Sequence, residues 1–318
     1  MLSADTELSG EAVMVTQSDT EQSFNQDVIV LDVGGTHLRL GHLRAGIAST
    51  RFEVQNSSIL RVDNAYDVLL KTIASYAADQ QLQVAAVVLG IPGMLNKDKD
   101  IISHCNNIPQ LEGSGLHAML TKSMRCRIIL EQDIMLQLLG EWRCGAAKAS
   151  PSVFGVYFGT GIGAAYLVDG NPQLQSAAGL QAGHIPLMAQ GKRCVCGNTD
   201  CVEAYACGHT LLEMAAAFDC SVEQLFKKDD NKQLKQQLDD FVRYQAYLLA
   251  TLVTLFVPDM ILIGGGIPKM DGYPHDKLID YVHAHVQKPY PAQSVKFTWA
   301  SLDKSSTLYG AMALLEAS

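Results

Sequence analysis

Val28-Ile29-Val30-Leu31-Asp32-Val33-Gly34-Gly35-Thr36 is the stretch on which the fold turns. A β-branched apolar run ends in an acidic residue and a glycine pair. That order predicts a buried strand breaking into a tight turn. Apolar and polar residues then alternate from Leu38 to Leu43, which predicts a second strand. The same order returns about 125 residues later: Val153 to Phe158, then Gly159-Thr160-Gly161-Ile162-Gly163, then Ala164 to Val168. A solenoid repeats every 20 to 50 residues or so, and this spacing instead implies two related α/β domains. A substrate of such a pair would sit in the cleft between them.

The rest of the chain fits that scheme. Residues 65 to 79 carry apolar side chains at helical spacing. Ala85 to Leu89 reads as a strand entering Gly90-Ile91-Pro92-Gly93. Ile128 to Leu130 reads as another, entering Glu131-Gln132-Asp133, with a helix following through Leu139. Residues 212 to 257 read as helical. Met260 to Ile263 is a strand ending in Gly264-Gly265-Gly266, and Ser306 to Glu316 is a helix with one apolar face. Residues 1 to 27, rich in Ser, Thr, Glu, Gln and Asp, read as a disordered acidic tail.

Composition bounds the function. Hydrophobic residues make up 48% of the 318 and charged residues 18%, so the chain can build a sizeable core. Lys and Arg number 24 against 33 Asp and Glu, a net charge of −9 that disfavours non-specific nucleic-acid binding. A local anion site at a turn or metal remains compatible with that charge. The first basic residue is Arg39, so no positively charged leader opens the sequence. The longest apolar stretch, Tyr247 to Val257, is far short of the about 20 residues a membrane span needs. These features lead us to expect a soluble cytoplasmic protein.

Three glycine turns follow hydrophobic strands. Asp32 to Thr36 and Gly159 to Gly163 each offer bare amides and one hydroxyl, a chemistry suited to phosphate, and Asp32 suits a hydrated Mg²⁺. Gly264 to Gly266 would let a base or ribose lie on the backbone. Each turn alone also reads as a plain hairpin or loop, and together they carry more weight. Neither the Gly-Lys-Ser/Thr phosphate loop nor a Gly-x-Gly-x-x-Gly opening a helix is present. Asp133, just past a strand end, is placed either to accept a hydroxyl proton or to cap a helix. His184, Cys194, Cys196 and Cys201 form His-x9-Cys-x-Cys-x4-Cys, the donor set of a closed structural zinc site. The alternative is free buried thiols beside an unrelated histidine. Cys105, Cys126, Cys144, Cys207 and Cys220 read as small hydrophobes. Glu203, two residues beyond Cys201, reads either as a surface carboxylate or as a hydrogen-bond partner for a polyol.

Taken together, these residues resemble the sugar kinases of the repressor, open reading frame, kinase (ROK) family. Its carriers are the Asp32 to Thr36 turn, Gly90-Ile91-Pro92-Gly93, Asn107-Ile108-Pro109, Asp133, the Gly159 to Gly163 turn, and Gly183-His184 through Glu203. Within the family, Asn96 to Lys99, Asp133 to Leu138, His184 to Leu187 and Lys288 to Pro291 are similar to bacterial D-allose kinases.

The resemblance implies an actin-like ATPase fold, with two ribonuclease-H-like domains around an ATP cleft. Residues 28 to 130 would form the first domain, joined by the returning helix 306 to 318, and residues 131 to 305 the second. It implies ATP, Mg²⁺ and structural Zn²⁺. Asp32, Gly34, Gly35, Thr36, Gly159, Thr160, Gly161 and Gly163 would grip phosphates, and Gly264, Gly265 and Gly266 would lie near the adenosine. Gly93, Asn107, Asp133, Gln181, His184 and Glu203 would contact the sugar, with Asp133 as catalytic base. His184 would also bind the metal, and a homodimer is the assembly the family suggests. Three positions depart from the family pattern. Gln181 replaces a usual Glu, Gln132 a usual Asn, and Met135 a common Asn. They bear on sugar identity more than on the reaction. Repressors of the family carry a DNA-binding domain ahead of the kinase-like body, and an acidic stretch of this length does not fit one. A non-catalytic sugar-binding regulator is the other reading, prompted by the three departures.

Overall fold

A computed structural model describes residues 26–113, 115–174, 179–187, 190–228 and 231–316. Most of the expected tail, residues 1 to 25, therefore lies outside the described residues.

The first sheet opens with β1 (Asp27–Val33) and β2 (His37–Arg44), an antiparallel pair in which Asp32 faces Arg39. β3 (Ile47–Ala48) and β4 (Glu53–Asn56) both pair with β2. α1 (Ala65–Asp79) leads into β5 (Val84–Ile91), which lies parallel to β1. A small hairpin, β6 (Met94–Leu95) with β7 (Ile102–His104), and then α2 (Gly115–Met124) precede β8 (Arg127–Gln132), parallel to β5. The sheet order is β3-β2-β1-β5-β8.

The second sheet repeats the plan after α3 (Asp133–Cys144). β9 (Ser152–Phe158) and β10 (Ile162–Val168) are antiparallel, and β11 (Asn171–Pro172) extends β10. Next come α4 (Glu203–Ala206), α5 (Gly208–Ala217) and α6 (Lys232–Phe256). β12 (Met260–Gly264) adds parallel to β9, α7 (His275–His285) crosses over, and β13 (Lys296–Trp299) adds parallel to β12. The order is β11-β10-β9-β12-β13. α8 (Ser306–Glu316) ends the described chain.

Strand alternation dictates the layers. Ile29, Leu31, Val87 and Leu89 face α1 and α2. Val28, Val30, Ala86 and Val88 face the other way, onto Leu136 of α3 and Leu308, Ala311 and Leu315 of α8. α3 then turns Met135, Leu138 and Leu139 toward Val153, Tyr157, Ala165 and Leu262 of the second sheet. The far face of that sheet, with Phe154, Val156, Phe158 and Ile261, is covered by α5, α6 and α7. So α3 and α8 form a helical layer between two sheets. They cross closely because Gly140 and Gly310 carry no side chain. A Cβ on Gly140 would meet the Ser306 carbonyl at 2.0 Å, and one on Gly310 the Leu136 carbonyl at 1.9 Å.

The sequence expectations need three adjustments. The 212 to 257 stretch is two helices joined by a short 3-10 turn, Val222–Lys227. Asp219 takes a left-handed φ of 48°, Ser221 begins a capping box, and the Asn231 side chain caps α6, so local polar chemistry interrupts the apolar spacing. α3 runs on to Cys144, and Cys144 is exposed rather than packed as a small hydrophobe. No described helix is long and apolar enough to cross a membrane.

Candidate active site

Asp32 is the last residue but one of β1, Gly90 lies beside it on β5, and Glu131 lies beside Gly90 on β8. Glycine in the middle strand leaves room for Asp133: a Cβ on Gly90 would come within 3.3 Å of the Asp133 Cα. Asp133 is thereby held at the head of α3, facing the end of β1. Gln132 holds the N-cap position without a side-chain cap bond, and Asp133 is the first helical residue, its Oδ1 accepting the Ile134 amide at 2.8 Å. The expected N-cap position thus falls to the residue before Asp133.

This placement is electrostatically costly. Burial pushes the Asp133 carboxyl up to about 8, and the charge of Asp32 adds to the rise. Asp32 is itself buried and raised, with Arg39 pulling the other way through a 2.9 Å ion pair. A carboxyl held near neutrality in a cleft is suited to proton transfer.

The two glycine turns flank this carboxylate. Gly34 and Gly35 are held from beneath. The buried Ser57 hydroxyl donates to the Gly34 carbonyl at 2.6 Å, and Arg61 Nη2 donates to the Gly35 carbonyl at 3.0 Å. Asn107 touches the same turn, its amide 3.0 Å from where a Gly35 Cβ would stand. On the other side, a Cβ on Gly163 would strike Ile134 at 2.5 Å, so the Gly159 to Gly163 turn lies against the residue next to Asp133. The side chains of Thr36 and Thr160 are exposed at the two turns. Gly264 to Gly266 follow β12 beside the end of β9. A Cβ on Gly265, where φ is +92°, would meet the Phe158 carbonyl at 2.2 Å. That turn neighbours Gly159 through Phe158 and has no described contact with Asp133.

The segment 179 to 184 bridges the halves. Gly179 packs against Gln132, whose Nε2 donates to the Gly93 carbonyl at 3.2 Å. Gln181 is exposed and begins the 3-10 turn Ala182–His184, in which Gly183 lies against Ile162 and Glu203. Glu203 is half-buried, and its Oε2 accepts the Ile162 amide at 2.7 Å. It is therefore bonded into the fold at the end of the Gly159 to Gly163 turn and is not a fully solvated carboxylate. A shallow cleft lined by Lys99, Glu131, Gln132, Met135, Gly179 and Leu180 opens beside the start of α3.

His184, Cys194, Cys196 and Cys201 converge, with their ligand atoms all within 4.8 Å of one another. Cys194 Sγ lies 3.6 Å from His184 Nδ1, and Cys196 Sγ 3.6 Å from Cys201 Sγ. Donors at about 2.0–2.3 Å from a tetrahedral ion stand roughly 3.5–3.8 Å apart, so the set fits a metal. Burial pushes the Cys201 thiol up to about 12, with the Cys196 and Cys194 sulfurs adding to it. Three crowded thiols become ligating thiolates when a cation supplies the compensating charge. The loop is shaped for this by Gly197 at φ +91°, by Cys194 N–H donating to the Asn198 carbonyl at 2.9 Å, and by Asp200, which accepts the Gly191 amide at 2.7 Å and the Tyr205 hydroxyl.

The structure adds residues that the sequence did not single out. Arg39 follows from the β1–β2 register and was readable once the turn length was fixed. Arg61 bonds both the Gly35 and Asn107 carbonyls, and buried Glu131 pairs with Lys99 from the β6–β7 turn. Both contacts span more than 25 residues and leave no local signal.

Two sheets of matching plan, with a shared helical layer between them, define the actin-like ATPase fold. The chain matches the ROK family over residues 28–318 and belongs to that family. It is 27% identical over 263 residues to an N-acetyl-D-glucosamine kinase of Pectobacterium carotovorum, covering 76% of this chain and 84% of that one. The ROK hexokinase of Thermus thermophilus superposes with a TM-score of 0.74 at 25% identity, over 92% and 99% of the two chains. A ROK family transcriptional regulator, a homolog of the E. coli MLC protein, superposes with a TM-score of 0.80 at 21% identity, over 93% and 79%.

Proposed function

We propose that this protein is an ATP-dependent sugar kinase that phosphorylates a hexose, at its 6-hydroxyl, with D-allose the first candidate. The observation that carries the reading is Asp133, a half-buried carboxylate beside Gly90 and near Asp32, next to the residue on which Gly163 packs, and raised to about 8. Relatives named for an N-acetylhexosamine and a hexose support the substrate class. Allose rests on the sequence segments alone, and glucose, N-acetylmannosamine and fructose are the alternatives.

In this reading Asp133 accepts the proton of the sugar hydroxyl as its oxygen attacks the γ-phosphate in line. Phosphoryl transfer has a loose transition state, so positioning and charge neutralisation dominate. The Gly34 amide is taken by the His37 carbonyl at 2.8 Å, so Gly34 shapes its turn, while the amides of Gly35, Gly161 and Gly163 and the hydroxyls of Thr36 and Thr160 bind the phosphates, and Gly264 to Gly266 line the adenosine. Gly93, Asn107, Gln181, His184 and Glu203 orient the sugar. Asp32, buried beside the site with one oxygen on Arg39, fits a hydrated cation. Mg²⁺ bound there supplies charge neutralisation of the phosphates. The Cys₃His set fits zinc, which fixes the loop carrying His184 and Glu203.

Coupled ADP release with Mg-ATP and a panel of aldohexoses, ketohexoses and hexosamines tests the reading. A clear preference for allose is expected. Preference for another sugar retains the kinase and moves its specificity. Sugar binding without turnover on any member favours the second reading, a non-catalytic sugar-binding regulator, which the fold likeness to a regulator and the residues Gln181, Gln132 and Met135 prompt.

A further inference from the structure

Two hydrogen bonds tie the Gly159 to Gly163 turn to the stretch that leaves the Cys₃His loop. Glu203 Oε2 accepts the Ile162 amide at 2.7 Å, and the Gly208 amide donates to the Gly159 carbonyl at 2.7 Å. They hold the two ends of the turn. Inside it, the Gly159 amide donates to the Gly161 carbonyl at 2.9 Å. The packing is as tight as the bonding. A Cβ on Gly161 would stand 2.7 Å from Glu203 Oε2, and a Cβ on Gly208 2.9 Å from the Gly159 carbonyl. Between the anchors Tyr205, Ala206 and Cys207 are buried, and Val202 is buried just before them. Upstream, the Val202 amide donates to the Ile185 carbonyl at 3.0 Å, and the Leu187 amide to the Asp200 carbonyl at 2.7 Å. An unbroken bonded path thus runs from Cys201 to both ends of the glycine turn.

We propose that Glu203 is a positioning residue for the phosphate turn, and that the Cys₃His loop sets nucleotide affinity through Glu203 and Gly208. This rests on the kinase reading above. It adds to the sugar contact proposed for Glu203, since only its Oε2 is committed to the Ile162 amide. A charged acceptor on a backbone amide is among the stronger hydrogen bonds. Its loss would let the turn relax away from the geometry in which its amides converge on a phosphate.

The test is calorimetric binding of a non-hydrolysable Mg-ATP analogue to the metal-loaded protein in the absence of sugar. Four proteins are compared: wild type, Glu203→Ala, Glu203→Gln and Gly208→Ala. Glu203→Ala should weaken nucleotide binding about tenfold or more, the loss expected for a bond to a charged acceptor. Glu203→Gln keeps an acceptor oxygen and should return to within about threefold of wild type. Gly208→Ala displaces the other anchor and touches none of the residues assigned to the sugar. It should weaken nucleotide binding severalfold and leave sugar binding unchanged. Removing the metal with a chelator should weaken nucleotide binding in wild type by a factor like that of Glu203→Ala.

Nucleotide affinity within about twofold of wild type in both Glu203→Ala and Gly208→Ala overturns the inference. Unchanged affinity after metal removal overturns the part that assigns the loop. If Glu203→Ala does not fold, Gly208→Ala alone decides. A wild-type protein that folds, binds metal and takes up no nucleotide overturns the kinase reading instead.

Discussion

Asp133 places function and stability in opposition. Its carboxyl titrates at about 8 in the folded protein against an ordinary 3.8. The native state therefore keeps a proton that the unfolded chain releases. A raised pKa contributes stability in full below about 3.8, and that contribution is lost as pH rises toward 8. Asparagine is neutral throughout. Asp133→Asn should raise the melting temperature, with an advantage over wild type that grows from about pH 4 to 8 and then levels. A difference that stays flat with pH sinks the assignment. In the same variant turnover should fall about 10²–10⁴-fold, the share a general base contributes. In wild type, kcat/KM should drop as pH falls below about 8, because the base must be ionised. Arg61 is a second residue-scale case. It bonds the carbonyls of Gly35 and Asn107 at 3.0 and 3.2 Å, joining one residue assigned to phosphate and one to sugar. Arg61→Ala should raise the KM for both substrates with a smaller change in kcat, and a rise for one alone would confine Arg61 to that side.

At the scale of elements, much was legible. Strand-then-glycine order gave β1, β5, β9 and β12 with their turns, because buried parallel strands are continuous apolar runs and tight turns demand glycine. The cysteine spacing pointed to the Cys₃His cluster for a similar reason: a loop able to close around one ion is local. The α3–α8 crossing was not legible. Gly140 and Gly310 look like weak points in their helices until the partner helix, more than 160 residues distant, is seen to press its backbone on them. Gly310→Ala would put a methyl 1.9 Å from the Leu136 carbonyl, and backbone cannot rotate aside as a side chain can. The substitution gains helix propensity of about 1 kcal/mol and loses more through overpacking, about 1–3 kcal/mol. Urea denaturation should show a lower midpoint at unchanged slope. A higher midpoint would mean that the helices do not touch there.

Among the described residues, two cores lie on either side of the α3–α8 layer. One is built from residues 29 to 130, the other from residues 154 to 295. The Cys₃His loop belongs wholly to the second. Removing its metal should therefore act locally. Without a cation the crowded thiols take up protons, and the turns around Gly191 and Gly197 lose the tie that closes them. The disturbance should spread along the bonded path to 185–187, 200–208 and the Gly159 to Gly163 turn, and stop at the sheet. β1 and β5 share no cluster with that segment, and their amides are locked in the first sheet. Hydrogen exchange read by mass spectrometry, before and after chelation, should show faster exchange in 159–163 and 185–208 and no change in 28–33 or 84–91. Regions open with their own free energies when the contacts that hold them are separable. Faster exchange in both sheets would show instead that the two cores unfold as one unit, with the metal contributing to global stability and not to the shape of one site.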